Sequence, residues 1–238
     1  MRRMMAYRVR WVWSIFVVLV VLQIAGCGDS ETDQRRAFTD FVQNVQLQQD
    51  GNLPPLTEEQ KKRFGAFVND YAILTTFSQQ FNQAVRESLV PMMSQVSHIR
   101  TPKDYLSQRD AIRQSIGAIN MLGQHVQTAK AQADSARQAL KQPEELQVGY
   151  DRLYHRIVTQ PTNTLLPIIP IALSFAQNLV QVGDYLQAQG DRVVFSGSSI
   201  QFMTQPQVTQ YNSLVSGLPA QQQNVLNALK SLGVMIQP

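Results

Sequence analysis

The sequence predicts a mainly α protein: a helical bundle of about six helices, with one long coiled-coil-like helix and a small β-hairpin. Three observations predict it. Beyond residue 32, apolar residues recur at threes and fours, the period of one helix face. From Ile112 to Leu140 the apolar spacings are 4, 3, 3, 4, 3, 4, 3 and 4, close to the 3.5-residue repeat of coiled coils and bundles. Strict alternation occurs in one place, around Gly197, where Val193, Phe195, Ile200 and Phe202 flank a glycine turn.

The chain opens differently. Arg2, Arg3, Arg8 and Arg10 make a positive start, and Trp11 to Leu22 is apolar except for Ser14. Small residues follow at Ala25 and Gly26, before Cys27. Positive start, short apolar core and small residues before a cut site describe an export signal over residues 1–26. Its twelve apolar-run residues fall short of the ~20 that a membrane span needs. Ile24-Ala25-Gly26-Cys27 resembles the lipobox of bacterial lipoproteins. That resemblance implies a diacylglycerol on the Cys27 thiol, cleavage before it, and further acylation of the new amine by a chain such as palmitate. Residues 27–32 then form the lipidated cysteine and a short polar tether, and residues 33–238 a helical periplasmic domain. Five extended residues reach less than about 18 Å, which holds the domain close to the membrane.

Composition agrees with one domain in a disulfide-free state. Cys27 is the single cysteine, so a lipidated mature chain has no disulfide, although its compartment would allow one. Of 21 basic residues, four lie in the signal; 17 remain against 17 acidic ones. The mature chain is formally neutral, which excludes the basic footprint of a nucleic-acid binder and a general attraction to anionic lipid.

The first helix is expected over about 33–49, with Phe38, Phe41, Val42 and Val45 on one face. Gly51 to Pro55 ends it. Thr57 and Gln60 form a capping-box pattern that opens a long helix. Its stripe of Phe64, Phe67, Tyr71, Leu74, Phe77, Phe81, Val85 and Leu89 suits a core, or alternatively a ligand groove. Pro91 is expected to kink or end this helix. Thr101-Pro102 reads as N-cap and first position of the third helix, which runs to about Lys141. The seam Ile112, Ile116, Ile119, Leu122, Val126, Ala129, Ala133, Ala136 and Leu140 suits an intramolecular bundle, or an intermolecular coiled coil.

Pro143-Glu144-Glu145 opens a shorter helix that Thr159 to Pro161 breaks. Leu165 to Leu173 is the most apolar stretch of the mature chain and carries Pro167 and Pro170. It reads as a buried entry to a helix ending at Gln189, with Gly190 as cap; a membrane-dipping segment is the alternative. After the hairpin, two helices are expected at about 206–216 and 219–234.

Chemistry-bearing patterns are sparse. His98, His125 and His155 are the only histidines, and no pair has the i, i+4 spacing of a helical zinc site. There is no nucleophile elbow, phosphate-cradling glycine loop or calcium loop. Glu58-Glu59 and Glu144-Glu145 sit at helix starts, where the dipole favours negative charge. No catalytic, metal-binding or cofactor-binding residue and no cofactor is expected.

The mature chain resembles the YiaF-like lipoprotein family of enteric bacteria, a domain of unknown function. The segments that carry the resemblance are Asp33 to Phe38, Leu53 to Leu74, Ala139-Leu140-Lys141-Gln142, Val182-Gly183-Asp184-Tyr185, Ile200-Gln201-Phe202 and Leu218-Pro219-Ala220-Gln221. The resemblance implies an envelope lipoprotein and supplies no reaction or ligand; Cys27 alone carries over as a functional position. In enteric lipoproteins an aspartate directly after the cysteine implies retention at the inner membrane. Here Gly28 holds that place, so the expected site is the periplasmic face of the outer membrane. The expected function is a non-catalytic, membrane-anchored envelope protein that binds an envelope partner or supports the envelope. The alternative is a carrier of lipid or another apolar ligand; an enzyme without a recognisable motif comes third. The lipid-free domain is expected to be a monomer.

Overall fold

A computed structural model describes residues 28–48 and 52–232. Ile24, Ala25, Gly26 and Cys27 lie outside the described residues, as do the signal, the expected helix end at Gly51 and the residues beyond 232.

Helix α1 spans Gly28–Asn44, so residues 28–32, expected as a short polar tether, are helical. The sequence allows this: no proline or second glycine interrupts residues 29–44, and Glu31 and Asp33 bring negative charge to the dipole's positive end. The turn continues to Val45, whose N–H donates to the Phe41 carbonyl at 2.8 Å.

Helix α2 covers only Glu58–Phe64, with the expected capping box at Thr57 and Gln60. Gly65 breaks the long helix that was expected to continue. Its φ of 54° is a backbone conformation that glycine adopts at no steric cost, and a Cβ there would overlap the Gln34 side chain. A 3-10 turn over Gly65–Phe67 leads into α3, Val68–Ser97. Pro91 lies inside α3 and does not end it. Pro91 and Glu87, whose carbonyl loses its helical donor to the proline, are both exposed. Leu89, Met92, Met93 and Val96 remain buried around it and hold the helix on the core.

Helix α4 spans Asp104–Gln138. Thr101 and Pro102 form a turn before it, and regular helix starts at Asp104, not at Pro102 as expected. The Asp104 carboxylate accepts from the N–H groups of Arg100 and Thr101 at 3.0 and 2.7 Å, which pulls its pKa below the usual carboxylate range. Ile112, Ile119, Leu122 and Val126 are fully buried and Ala129 and Ala133 nearly so. This seam packs within the chain, between α3 on one side and the later helix α7 on the other.

Helix α5, Glu144–Tyr154, passes through a π-helical turn at His155–Thr159 into α6, Gln160–Leu165. The expected break at Thr159 to Pro161 is absent. The wide turn, with the Gln160 N–H reaching back to the His155 carbonyl, places Pro161 in the first turn of α6, where a missing donor costs little. Helix α7, Ile168–Gln189, ends on Gly190 as expected. Ile169, Ala172, Phe175, Ala176 and Leu179 are buried, so its apolar entry serves the bundle. Glu144–Arg192 is long and apolar enough to cross a membrane by composition, yet its apolar face is spent on this packing.

The hairpin is β1, Val193–Ser196, antiparallel to β2, Ser199–Phe202, with Val193 opposite Phe202 and Phe195 opposite Ile200. Helices α8, Gln205–Val215, and α9, Leu218–Ser231, complete the described residues. The class is a helical bundle with a two-stranded sheet. The count of about six is revised to nine α-helical segments among the described residues, because Gly65 and the π-turn divide what the periodicity joins. The aromatic stripe is core: Phe64, Tyr71, Phe77 and Phe81 are each less than 5% exposed.

Candidate functional site

The densest chemistry lies where α3 begins and α4 ends. Asp70, in the first turn of α3, is 8% exposed and interrupts an otherwise apolar face. Gln142, in the α4–α5 connection, donates to its Oδ2 at 2.6 Å, and the Tyr150 hydroxyl donates to its backbone carbonyl at 2.8 Å. Burial raises the Asp70 carboxyl above its usual range, and the Gln142 bond opposes that shift. The segments Leu53 to Leu74 and Ala139 to Gln142, two that carry the family resemblance, thus meet through one hydrogen bond.

One helical turn away is a second group. Tyr154 donates to Asp134 Oδ1 at 2.6 Å and Lys130 to Oδ2 at 2.6 Å. Arg137 reaches Asp151 at 2.7 Å and lies over the Tyr154 ring, 4.5 Å from its centre, an attractive cation–π geometry. Burial raises the Asp134 carboxyl, but the bonds from Lys130 and Tyr154 outweigh it and leave the group below its usual range. Burial pushes the Tyr150 and Tyr154 phenols up. Every buried side-chain polar atom among the described residues has a partner. A satisfied network of this kind fixes the packing. The periodicity of the sequence did not reveal it. The available signal was Asp70 itself, a carboxylate on the apolar side of a helix.

The histidines do not converge. His98, His125 and His155 are all exposed and lie on α3's end, α4 and the π-turn respectively; the His98 ring meets the Ser94 carbonyl at 2.7 Å. Among the described residues no three His, Cys, Asp or Glu side chains are grouped to hold a metal. Two grooves stand out. One of about 480 Å³ lies between α1 and α5 and is lined by polar groups including Gln43, Asn44, Arg152 and Arg156. The other, of about 400 Å³, lies beside α3 and is lined by Leu53, Leu56, Val68 and Tyr71.

Residues 15–233 match the family described as "Protein of unknown function (DUF3053)". The chain belongs to the DUF3053 family. Within DUF3053 it is 46% identical over 214 residues to the Escherichia coli K12 "Uncharacterized protein YiaF", covering 90% of this chain and 91% of that one. A relative of the same description from Shigella flexneri matches equally. No solved structure matches the chain. The YiaF-like resemblance read from the sequence is therefore the correct family, and DUF3053 carries no activity to transfer.

Proposed function

We propose that this protein is a non-catalytic envelope lipoprotein, anchored through acyl chains on Cys27, that binds an envelope partner or supports the envelope. The observation that carries it is Ile24-Ala25-Gly26-Cys27 behind four arginines and a twelve-residue apolar run. The neutral mature charge and the closed polar network support a role without chemistry. Gly28 in place of aspartate supports the periplasmic face of the outer membrane as its site. The test is mass spectrometry of the mature N-terminus: acyl chains on Cys27 and loss of residues 1–26 are expected. One chain gives marginal attachment, and two or three make it stable at about 0.8 kcal/mol per buried methylene. An unmodified residue there overturns the proposal.

A second reading, a carrier of lipid or another apolar ligand, is favoured by the groove of about 400 Å³ with Leu53, Leu56 and Val68 in its lining, a size within the range of ligand sites. Crosslinking in intact cells, followed by analysis of what copurifies, separates the two: protein for the first, lipid for the second.

A further inference from the structure

We infer that the end of the bundle formed by α2 and the α4–α5 connection is a membrane-facing surface, seated on the lipid headgroups, and that the hairpin is held at the far end. This rests on the lipoprotein reading of Cys27. The carrying observation is where the helical domain starts. Helix α1 begins at Gly28, so the residue bonded to Cys27 is already helical. Consecutive Cα atoms are about 3.8 Å apart, which leaves no slack between the acylated residue and the helix.

That helix is fixed to the bundle almost at once. Gln34 lies against Gly65, and the Phe38 ring packs on Phe64 at 5.4 Å and Phe67 at 5.6 Å. Further along, the Arg156 guanidinium donates to the Val45 carbonyl at 2.8 Å. The helix therefore runs from the start of α3 toward the bundle's middle, and Gly28 stands six residues, about 9 Å of helix, before Gln34. This N-terminal end is beside α2, where Lys62 and Arg63 are exposed. The hairpin is far from it. Gly183 of α7 touches Tyr105 and Arg109 near the start of α4, and the Phe202 ring of β2 lies 6.2 Å from that of Tyr185. The end of α4 lies by Asp151 and Tyr154 instead. The 35 residues of α4 span about 52 Å, which sets the distance between the two ends.

The test uses the lipidated protein in phosphatidylcholine–phosphatidylglycerol vesicles that carry a headgroup spin label. Acylation consumes the single native thiol, so a fluorophore attaches only at Lys62→Cys or Ser198→Cys, both exposed positions. The inference expects loss of most fluorescence at position 62 and none at 198. Equal loss at both, loss at 198 alone, or loss at neither overturns it; the last result leaves that end to a protein partner. The intact mass of each labelled sample reads Cys27 directly. An unmodified Cys27 overturns the anchor reading and this inference together, whereas acylated Cys27 with the wrong quenching pattern overturns only the inference.

Discussion

Gly183 of α7 lies against the backbone carbonyl of Tyr105 in α4: a Cβ on Gly183 would stand 2.6 Å from that oxygen and 3.0 Å from Arg109 Cγ. The two helices approach this closely because one of them lacks a side chain here. Gly183→Ala is expected to push α7 off α4 and destabilise the domain by about 1–3 kcal/mol, the usual cost of overpacking. Gly117, on α4 with open space around it, should show the opposite sign. Gly117→Ala gains up to about 1 kcal/mol of helix propensity. Urea denaturation of both variants checks the pair; equal and stabilising effects would mean that the helices do not pack at Gly183.

Asp70 makes stability depend on pH in a direction unlike the surface acids. Burial raises its folded-state pKa above the ordinary 3.8, so the native state holds this proton where the unfolded chain has released it. The contribution is present in full below 3.8 and is lost as pH rises through the raised folded value. Asp104, Asp110 and Asp134 are held below their usual range and act oppositely, losing their contribution as pH falls. Asp70→Asn, whose amide oxygen still accepts from Gln142, isolates the effect. It should be more stable than the parent at about pH 7 and converge with it at about pH 3. Urea midpoints at the two pH values decide; a variant weaker at neutral pH would show that the ionised carboxylate is held by more than Gln142.

Much of this fold was legible because it follows from local patterns. The Ile112 to Leu140 seam, the Thr57–Gln60 capping box, the Gly190 cap and the Val193–Phe202 hairpin each depend on residues within a few turns of one another. The misreadings came where tertiary contacts decide. Gly65 follows Lys61, Lys62 and Arg63, a basic last turn and a glycine that together mark a helix end, but the aromatic stripe running across it concealed the signal. Pro91 survives because its side of the helix is wet, and exposure is not written in the nearby sequence. Asp70 meets Gln142 across 72 positions, a distance that periodicity does not span. The lipobox resemblance rests on order alone: charge, apolar run, small residues, cysteine.

Tyr154 is expected to act as a clamp and not as an acid. Tyr154→Phe keeps the ring beneath Arg137 and removes the bond of 2.6 Å to Asp134. Asp134 is 35% exposed and can turn to water, so the loss should be near the lower end of that expected for a bond to a charged group, about 1–2 kcal/mol. Titration of Asp134 by NMR should show its pKa rising in the variant, because one of the two bonds that lower it is gone. An unchanged Asp134 titration would mean that Lys130 alone sets its charge.

On the proposed lipoprotein reading, the residue after Cys27 sets the expected membrane destination. With Gly28 in that place, sucrose-gradient fractionation should recover most of the protein with the outer membrane. Gly28→Asp should move it toward the inner membrane without altering the domain, since residue 28 lies six positions before Gln34, which packs against Gly65. Recovery of the parent protein mainly with the inner membrane would defeat the outer-membrane reading.

Ile119 decides whether the long helix serves folding or assembly. It is fully buried, and the α4 seam on which it lies is covered by α3 and α7 of the same chain. A heptad seam that selects a partner chain also carries dense charge pairs at its flanks. Here Gly123, Gln127 and Lys130 take such places, and Lys130 pairs within its own helix, with Asp134 at 2.6 Å. The domain without Cys27 should therefore sediment as a monomer. Ile119→Asp buries a carboxylate without a partner, at a cost of several kcal/mol, which is a large share of the ~5–15 kcal/mol that holds a domain together. The variant should unfold, with loss of helical circular dichroism, and should not become a folded species of lower mass. A stable dimer that Ile119→Asp turns into a folded monomer would make α4 an assembly surface.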